Sequence, residues 1–199
     1  MPKKNPATSQ KLKHAFQFAC DCHETQVRKS TSIPYISHLM SVSALVFEYG
    51  GDEDQAIAAL LHDSVEDADS DTEANQRRQF IAEQFGDRVA KIVDGCTDGI
   101  PDITGKKPSW KDRKVAYLEH LKSADQDTLL VSAADKLHNA RAILGDLRVV
   151  GEAVYERFRA GKEGTLWYYS SLADTFAEIM PGPLAAELSR TVESIMKAG

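Results

Sequence analysis

The sequence predicts an all-α fold, and three features carry that prediction. Apolar residues recur at intervals of three and four along most of the chain, the alternation of a half-buried strand persists nowhere, and Gly, Pro and Asp/Ser positions punctuate the chain at helix-length spacing. At 199 residues, with 42% hydrophobic and 27% charged positions, the composition fits one globular domain with a substantial core. Residues 1–9, polar and holding two prolines, are expected to form a flexible N-terminal lead-in, and residues 10–199 a single domain.

From Gln10 to about Val27, Leu12, Ala15, Phe16, Ala19 and Cys20 fall at helical spacing. Arg28–Ile33 is a polar loop that ends where Pro34 can open a second helix, which runs to about Tyr49 and stops at Gly50-Gly51. Asp52 or Asp54 then caps a third helix expected to carry Ala56–Asp67. Ala68–Thr72 reads as an acidic turn, Gln76–Phe85 as helix before Gly86, and Val89, Ile92 and Val93 as a short helix ended by Gly95. Asp98–Pro108 is expected to be a loop, since glycine and proline crowd it. Trp110–Leu121 and Thr128–Leu144 read as helices, the second apolar enough to be central. A helix over Val150–Ala160, a long one after Gly164 and a last one over Pro183–Lys197 complete about ten.

The composition excludes several function classes. A net charge of −6 is wrong for a general nucleic-acid binder, whose affinity comes from neutralising phosphates with Lys and Arg. The longest apolar runs, Ala56–Leu61 and Leu129–Ala134, are too short to cross a bilayer, so no membrane partner is expected. Met1-Pro-Lys-Lys-Asn lacks the apolar core of a secretory signal, which makes the cytoplasm the expected location. Cys20, Cys22 and Cys96 give an odd count and no disulfide framework. Cys20 and Cys22 would point about 200° apart on a helix, so Cys20-Asp21-Cys22-His23 is not read as a zinc site. The oligomeric state is not legible.

The informative stretch is Leu60-Leu61-His62-Asp63-Ser64-Val65-Glu66-Asp67. Four ionisable groups follow a buried-looking apolar run, with no Lys or Arg between Ile57 and Thr72. Groups of this kind are costly to bury unless paired or bound to an ion. On a helix, His62, Asp63 and Glu66 would share a face. An adjacent His-Asp pair offers one imidazole nitrogen and one carboxylate oxygen to a common cation. His38, after Pro34-Tyr35-Ile36, and Asp135, in Val131-Ser132-Ala133-Ala134-Asp135, lie on equally apolar segments and complete a candidate metal set. Two nitrogen and two oxygen donors suit Mn²⁺, Fe²⁺ or Zn²⁺.

Several further stretches keep a recognisable order: His23-x-x-Gln26-x-Arg28-Lys29-Ser30, Pro34-Tyr35-Ile36-x-His38, Ala58-Ala59-Leu60-Leu61-His62-Asp63-x-Val65-Glu66-Asp67, Phe85-Gly86-x-x-Val89-Ala90, Gly95-x-Thr97 and Ala134-Asp135-Lys136-Leu137-His138-Asn139-x-Arg141. Spread over roughly residues 14–145, they resemble the HD-superfamily hydrolase domain of RelA/SpoT-type alarmone enzymes, above all the stand-alone small alarmone hydrolases. The resemblance implies a bundle of about ten helices and manganese-dependent removal of the 3′-pyrophosphate from ppGpp or pppGpp, giving the 5′-nucleotide and pyrophosphate. Glu66 and Asp67 would orient the nucleophile and manage protons near the leaving 3′-oxygen. Arg28, Lys29 and Ser30 would meet the phosphates, and Asn139, one turn beyond Asp135, the ribose or a phosphate.

The sequence departs from the family pattern after Arg28-Lys29-Ser30, where Thr31-Ser32-Ile33 replaces the common Gly-x before Pro34-Tyr35. The loop is one residue longer, which leaves guanine and adenine (ppApp) both open. Alternatives remain: an HD phosphohydrolase for another nucleotide, or a catalytically silent alarmone-binding module. Plainer readings stand beside several residues. Glu66 and Asp67 could be a solvated helix end, Arg28 and Lys29 plain loop charges, and His23 a packed histidine. His138 is expected near the site without ligating, His14 and His120 as ordinary residues, and Trp167-Tyr168-Tyr169 as core rather than a stacking platform. Arg148, Arg157, Arg159 and Lys162 form a basic series, either a solvated face or a phosphate rim.

Overall fold

The computed structural model describes residues 9–97 and 108–198. Residues 1–8 of the lead-in expected over 1–9 and most of the loop expected over Asp98–Pro108 lie outside the described residues. Among the described residues the chain is helical throughout, with one isolated antiparallel bridge, Val27 to Pro34, and no strand.

The described residues form nine α-helices in order: α1 (Gln10–Cys22), α2 (Ile36–Glu48), α3 (Glu53–Leu61), α4 (Asp71–Phe85), α5 (Asp87–Cys96), α6 (Trp110–Ser123), α7 (Gln126–Val150), α8 (Gly161–Ile179) and α9 (Pro183–Ala198). A 3₁₀ helix, Gly151–Arg157, joins α7 to α8 in place of the α-helix expected over Val150–Ala160. Gly151, at φ 62, marks the break, and only Val154 and Tyr155 of the 3₁₀ segment are buried.

Short polar residues set the helix starts. Ser9, Asp52, Ser70, Ser109 and Asp125 each accept a backbone N–H of the first turn, a contribution of about 1 kcal/mol apiece. Asp52 and Gln55 form a reciprocal capping box. The Ser70 cap explains why α4 begins before the expected Gln76: Ser70 accepts from Glu73 N–H, and Arg77 pairs with Glu73 one turn on.

The core is built on α3 and α7. Gln55–Leu61 of α3 is buried on all sides, packed against α1, α2, α5 and α7. Each of Ile57, Leu60 and Leu61 contributes about 1.5–3 kcal/mol by leaving water. α7 packs on α2, α3, α5 and α9, with α8 covering α9 and α6. Gly95 is interior to α5 rather than its stop, and a Cβ there would sit 2.7 Å from Cγ2 of Thr128, so the glycine lets α5 approach α7. The third helix ends at Leu61, not at Asp67. Residues 62–67 form consecutive turns in which Ser64 N–H bonds the Leu61 carbonyl and Asp67 N–H that of Asp63. Acidic side chains at a helix C-terminus oppose its dipole, which disfavours regular helix through Glu66 and Asp67. α1 likewise stops short of Val27, at Cys22.

Candidate metal centre and active site

His38 comes from the first turn of α2, His62 and Asp63 from the turns after α3, and Asp135 from the middle of α7. The fold brings all four together. His38, His62 and Asp135 are buried, and one ligand atom of each lies within 4.8 Å of the others. The Nε2 atom of His38 is 3.2 Å from Oδ1 of Asp135, and that of His62 is 3.7 Å from the same oxygen. Asp63 adds Oδ2 at 3.1 Å from Nε2 of His62 and 3.7 Å from Nε2 of His38.

Both imidazoles present Nε2 to this cluster, and the surroundings fix that choice. Nδ1 of His62 lies 2.8 Å from the Ala59 carbonyl, which can only accept, so Nδ1 carries the proton. Nε2 of His62 is buried and has no hydrogen-bond partner among the described residues. Nδ1 of His38 lies 2.7 Å from Nδ1 of His138, which also faces Arg28 at 3.5 Å. A guanidinium only donates, so His138 accepts there and His38 is the donor. Burial, then His38 and Arg28, depress the His138 pKa to about 4, in keeping with a neutral acceptor.

The electrostatics favour positive charge among the four groups. Burial disfavours an imidazolium at His62, yet Asp63 and Asp135 outweigh it and hold its pKa well above the ordinary value. Burial likewise works against ionising Asp135 and Asp63. Lys136 and the two histidines hold Asp135 well below the usual range, and His62 does the same for Asp63. An orphaned imidazole nitrogen facing buried Asp135 and half-buried Asp63 fits a divalent cation.

The carboxylates are aimed by neighbours to which the sequence reading gave no such role. Asp135 Oδ1 accepts from Asn139 at 2.5 Å and Oδ2 from Lys136 at 2.7 Å. The Lys136 ammonium also lies over the Tyr117 ring at 4.9 Å. The Tyr35 hydroxyl donates to Asp63 at 2.6 Å. Gln26 donates to Asp67 at 2.8 Å while its carbonyl oxygen faces Nδ1 of buried His23 at 2.6 Å, so a His-Gln-Asp chain holds Asp67. Desolvation, then the Asp63 charge, push the Asp67 pKa above the ordinary carboxylate value.

Two cavities border neighbours of the cluster, with none of the four clustered residues in either wall. The first, of about 480 Å³, has Asn139 in its wall with Ile33, Ile143 and Phe158 as apolar lining. The second, of about 570 Å³, holds Glu66 and Asp67. Lys29, Phe158 and Tyr169 belong to both walls, with the Lys29 ammonium 5.8 Å above the Phe158 ring. Arg28 lines the first cavity and donates to Asn139 Oδ1 at 2.9 Å. Ser30 lines neither; it is exposed and holds the left-handed turn of the loop at φ 58.

The extra loop residue is absorbed by Thr31, which bonds Arg28 O through its hydroxyl and lines the first cavity. The basic series after Leu147 divides: Lys162 pairs with Glu152, Arg157 pairs with Asp146 in the wall of the first cavity, and Arg159 faces the second. Tyr168 and Tyr169 both pack in the core and line cavity wall. Arg113 and Lys114 of α6, which carried no motif signal, line the second cavity.

A family model described as an HD domain matches residues 15–166. A guanosine-3′,5′-bis(diphosphate) 3′-pyrophosphohydrolase of Aquifex aeolicus is 35% identical over 138 residues, covering 69% of this chain and 18% of that protein. The chain therefore spans about a fifth of the length of that longer relative. Guanosine-3′,5′-bis(diphosphate) 3′-pyrophosphohydrolase MESH1 of Xenopus tropicalis is 38% identical over 130 residues, covering 64% of this chain and 66% of that one. A solved structure of a metazoan ortholog of SpoT, described as hydrolysing ppGpp, superposes with a TM-score of 0.72. It covers 95% of this chain and 97% of the other at 24% identity, a match of fold.

Proposed function

The chain belongs to the HD-domain family, and on that premise we propose that it is a metal-dependent hydrolase removing the 3′-pyrophosphate of an alarmone nucleotide. The observation that carries the reading is the convergence of His38, His62, Asp63 and Asp135, with an unpartnered imidazole nitrogen facing two carboxylates. The relatives named for ppGpp 3′-pyrophosphohydrolysis supply the substrate class. Residues 10–199 act as one domain in this proposal, in the cytoplasm, on a small-molecule nucleotide. No helix among the described residues is long and apolar enough to cross a membrane.

His38, His62, Asp63 and Asp135 would hold the cation, with Mn²⁺ proposed ahead of Fe²⁺ and Zn²⁺. When bound, such a cation polarises a phosphoryl oxygen and lowers the pKa of a water. The nucleoside would occupy the cavity lined by Ile33, Ile143 and Phe158, its ribose near Asn139. Arg28 and Lys29 would offer positive charge to the phosphates, the first as a planar fork held by Asn139. A water oxygen bonds to the phosphorus next to the ribose and the bond from that phosphorus to the 3′-oxygen breaks. Asp67, held by Gln26, and Glu66 would take the water's proton and return one to the 3′-oxygen.

The test is hydrolysis of ppGpp and ppApp side by side with Mn²⁺, the products resolved by chromatography. Release of pyrophosphate with GDP or ADP, lost on adding EDTA, supports the reading, and the ratio of rates gives the base preference. Release of orthophosphate instead, or cleavage of neither nucleotide, overturns it.

A further inference from the structure

Helical spacing puts a row of residues on one face of α7. Asp135 belongs to the four-residue cluster, Asn139 bonds it one turn on, Ala142 and Ile143 line the first cavity two turns on, and Asp146 lines it three turns on. From Asn139 to Asp146 the helix rises about 10 Å, the scale of a nucleoside from its ribose to the far edge of a purine. The polar side chains at the cluster end of this cavity are already engaged: Arg28 donates to Asn139, Asn139 to Asp135, and Thr31 to the Arg28 carbonyl. At the other end stands Asp146, the one carboxylate in the wall among the described residues, paired through Oδ2 with Nη1 of Arg157. Arg157 reaches it because α7 breaks at Gly151 and the 3₁₀ helix packs back on α7. The two side chains are 44% and 22% exposed, and an ion pair so open to solvent adds little to stability.

We propose that Asp146, held by Arg157, reads the base in this cavity and selects guanine over adenine, an inference that rests on the alarmone-hydrolase reading above. The pairing edge of guanine carries two neighbouring donors, N1–H and the 2-amino group, beside the O6 acceptor. An ionised carboxylate only accepts, and its two oxygens offer about four lone-pair sites. Oδ2 of Asp146 therefore keeps Arg157 and still takes one donor from the base, while Oδ1 takes the other. The guanidinium of Arg157 has further N–H groups to give to O6. Adenine presents a bare N1 where guanine presents N1–H, so the carboxylate meets a lone pair there and gains only the bond from the 6-amino group. Ile33, Ile143 and Phe158 offer the same apolar surface to either ring, so the edge contact decides between them.

The test is calorimetric titration of GDP, IDP and ADP into the full chain loaded with Mn²⁺, with free Mn²⁺ held constant. The three share ribose and diphosphate and differ only in the base, IDP being GDP without the 2-amino group. Wild type should bind GDP several-fold tighter than IDP and about tenfold tighter than ADP. Asp146→Asn sets an acceptor beside a donor, the complement of the adenine edge, so GDP should weaken about tenfold while ADP binds at least as tightly as to wild type. Equal wild-type affinity for GDP and IDP overturns the assignment, as does tighter binding of ADP than GDP or no measurable binding of any of the three. Those arms need no variant, so they decide even if Asp146→Asn fails to fold. A folded Asp146→Asn protein in which all three affinities shift by the same factor also overturns it, making Asp146 a general charge rather than a reader of the base. Failure of the wild type to release pyrophosphate from ppGpp, with the GDP preference intact, is a different result: it removes the reaction and leaves the base assignment standing.

Discussion

Replacing Asp135 with Asn keeps the shape of the side chain and removes one charge, and the structure says which group suffers. Oδ2 of Asp135 is the carboxylate oxygen that meets Lys136, at 2.7 Å, in a pair whose side chains are 9% and 14% exposed. Burial opposes the charge on Lys136, but Asp135 outweighs it and holds the pKa well above the ordinary value. Removing one member of such a pair leaves the other buried and uncompensated, at about 3–5 kcal/mol. For a chain of this size that lowers the melting temperature by roughly 6–20 °C. The loss is measured by urea and thermal unfolding in EDTA, so that no bound metal contributes. Lys136→Met in the same protein removes the orphaned cation and sets a thioether against the Tyr117 ring, 4.9 Å from the present ammonium. The double variant should regain stability to within about 1 kcal/mol of wild type. Metal uptake should be absent from both, since the carboxylate is gone from each. A single variant that loses less than about 1 kcal/mol in EDTA would refute the reasoning. So would a double variant as unstable as the single one, which would trace the loss to the histidines instead.

Gln26→Met breaks the bridge between His23 and Asp67 without touching the four clustered residues. With a hydrogen bond to a charged group worth about 1.5–3 kcal/mol, kcat should fall at least tenfold while KM and Mn²⁺ content stay near wild type; a loss of metal instead would tie Gln26 to the cluster. Asp125→Ala removes the N-cap of α7 and the ion pair with Lys91, at about 1 kcal/mol near neutral pH, since the pair is largely exposed. Lys91 and the Thr128 N–H hold the Asp125 pKa at about 2, below its ordinary value. That contribution is therefore complete above the unfolded pKa of about 4 and is lost as pH falls through about 2. The stability gap between wild type and variant in urea melts should narrow steadily below pH 4, and a gap that widened there would contradict the assignment.

The sequence made the helical content legible because apolar spacing is local, and it located His38, His62, Asp63 and Asp135 because polar groups inside apolar runs are locally anomalous. Helix ends were less legible. α4 starts at a Ser70 cap whose partner lies three residues on, and α3 stops before the acidic turn that its period would have carried through. What the sequence withheld depends on tertiary approach. Gln26 reaches Asp67 across 41 positions, and Arg28 reaches Asn139 across 111. Arg113 and Lys114 sit in a helix of ordinary amphipathic composition, and only the packing of α6 beside α8 turns them toward Glu66. Lys136 was quoted in a motif without a role, because its significance lies in which carboxylate oxygen it occupies.

The two halves of the proposed site are built to different tolerances. Around the cluster, each orienting contact leaves its group one option. The Ala59 carbonyl fixes the His62 tautomer, His138 with Arg28 fixes that of His38, and Asn139 and Lys136 take one oxygen each of Asp135. These contacts lie among helices whose packing leaves His38, His62 and Asp135 buried, so the donor atoms face one another before any cation arrives. Pre-organisation of that kind lowers the ordering cost of binding. The nucleotide, by contrast, would meet Lys29, Thr31 and Ile33 on a loop and Ala142 and Gly145 on an outer turn of α7. None of those residues hydrogen-bonds a clustered residue in the way that Asn139 bonds Asp135, so they can change without moving a metal donor. Asn139 and Arg28 are the exceptions: both line the proposed nucleotide cavity, Asn139 bonds Asp135, and Arg28 bonds Asn139. Altered base preference should therefore arise at Thr31, Ala142 or Gly145 with metal affinity intact, whereas any substitution of Asn139 should disturb metal and nucleotide together.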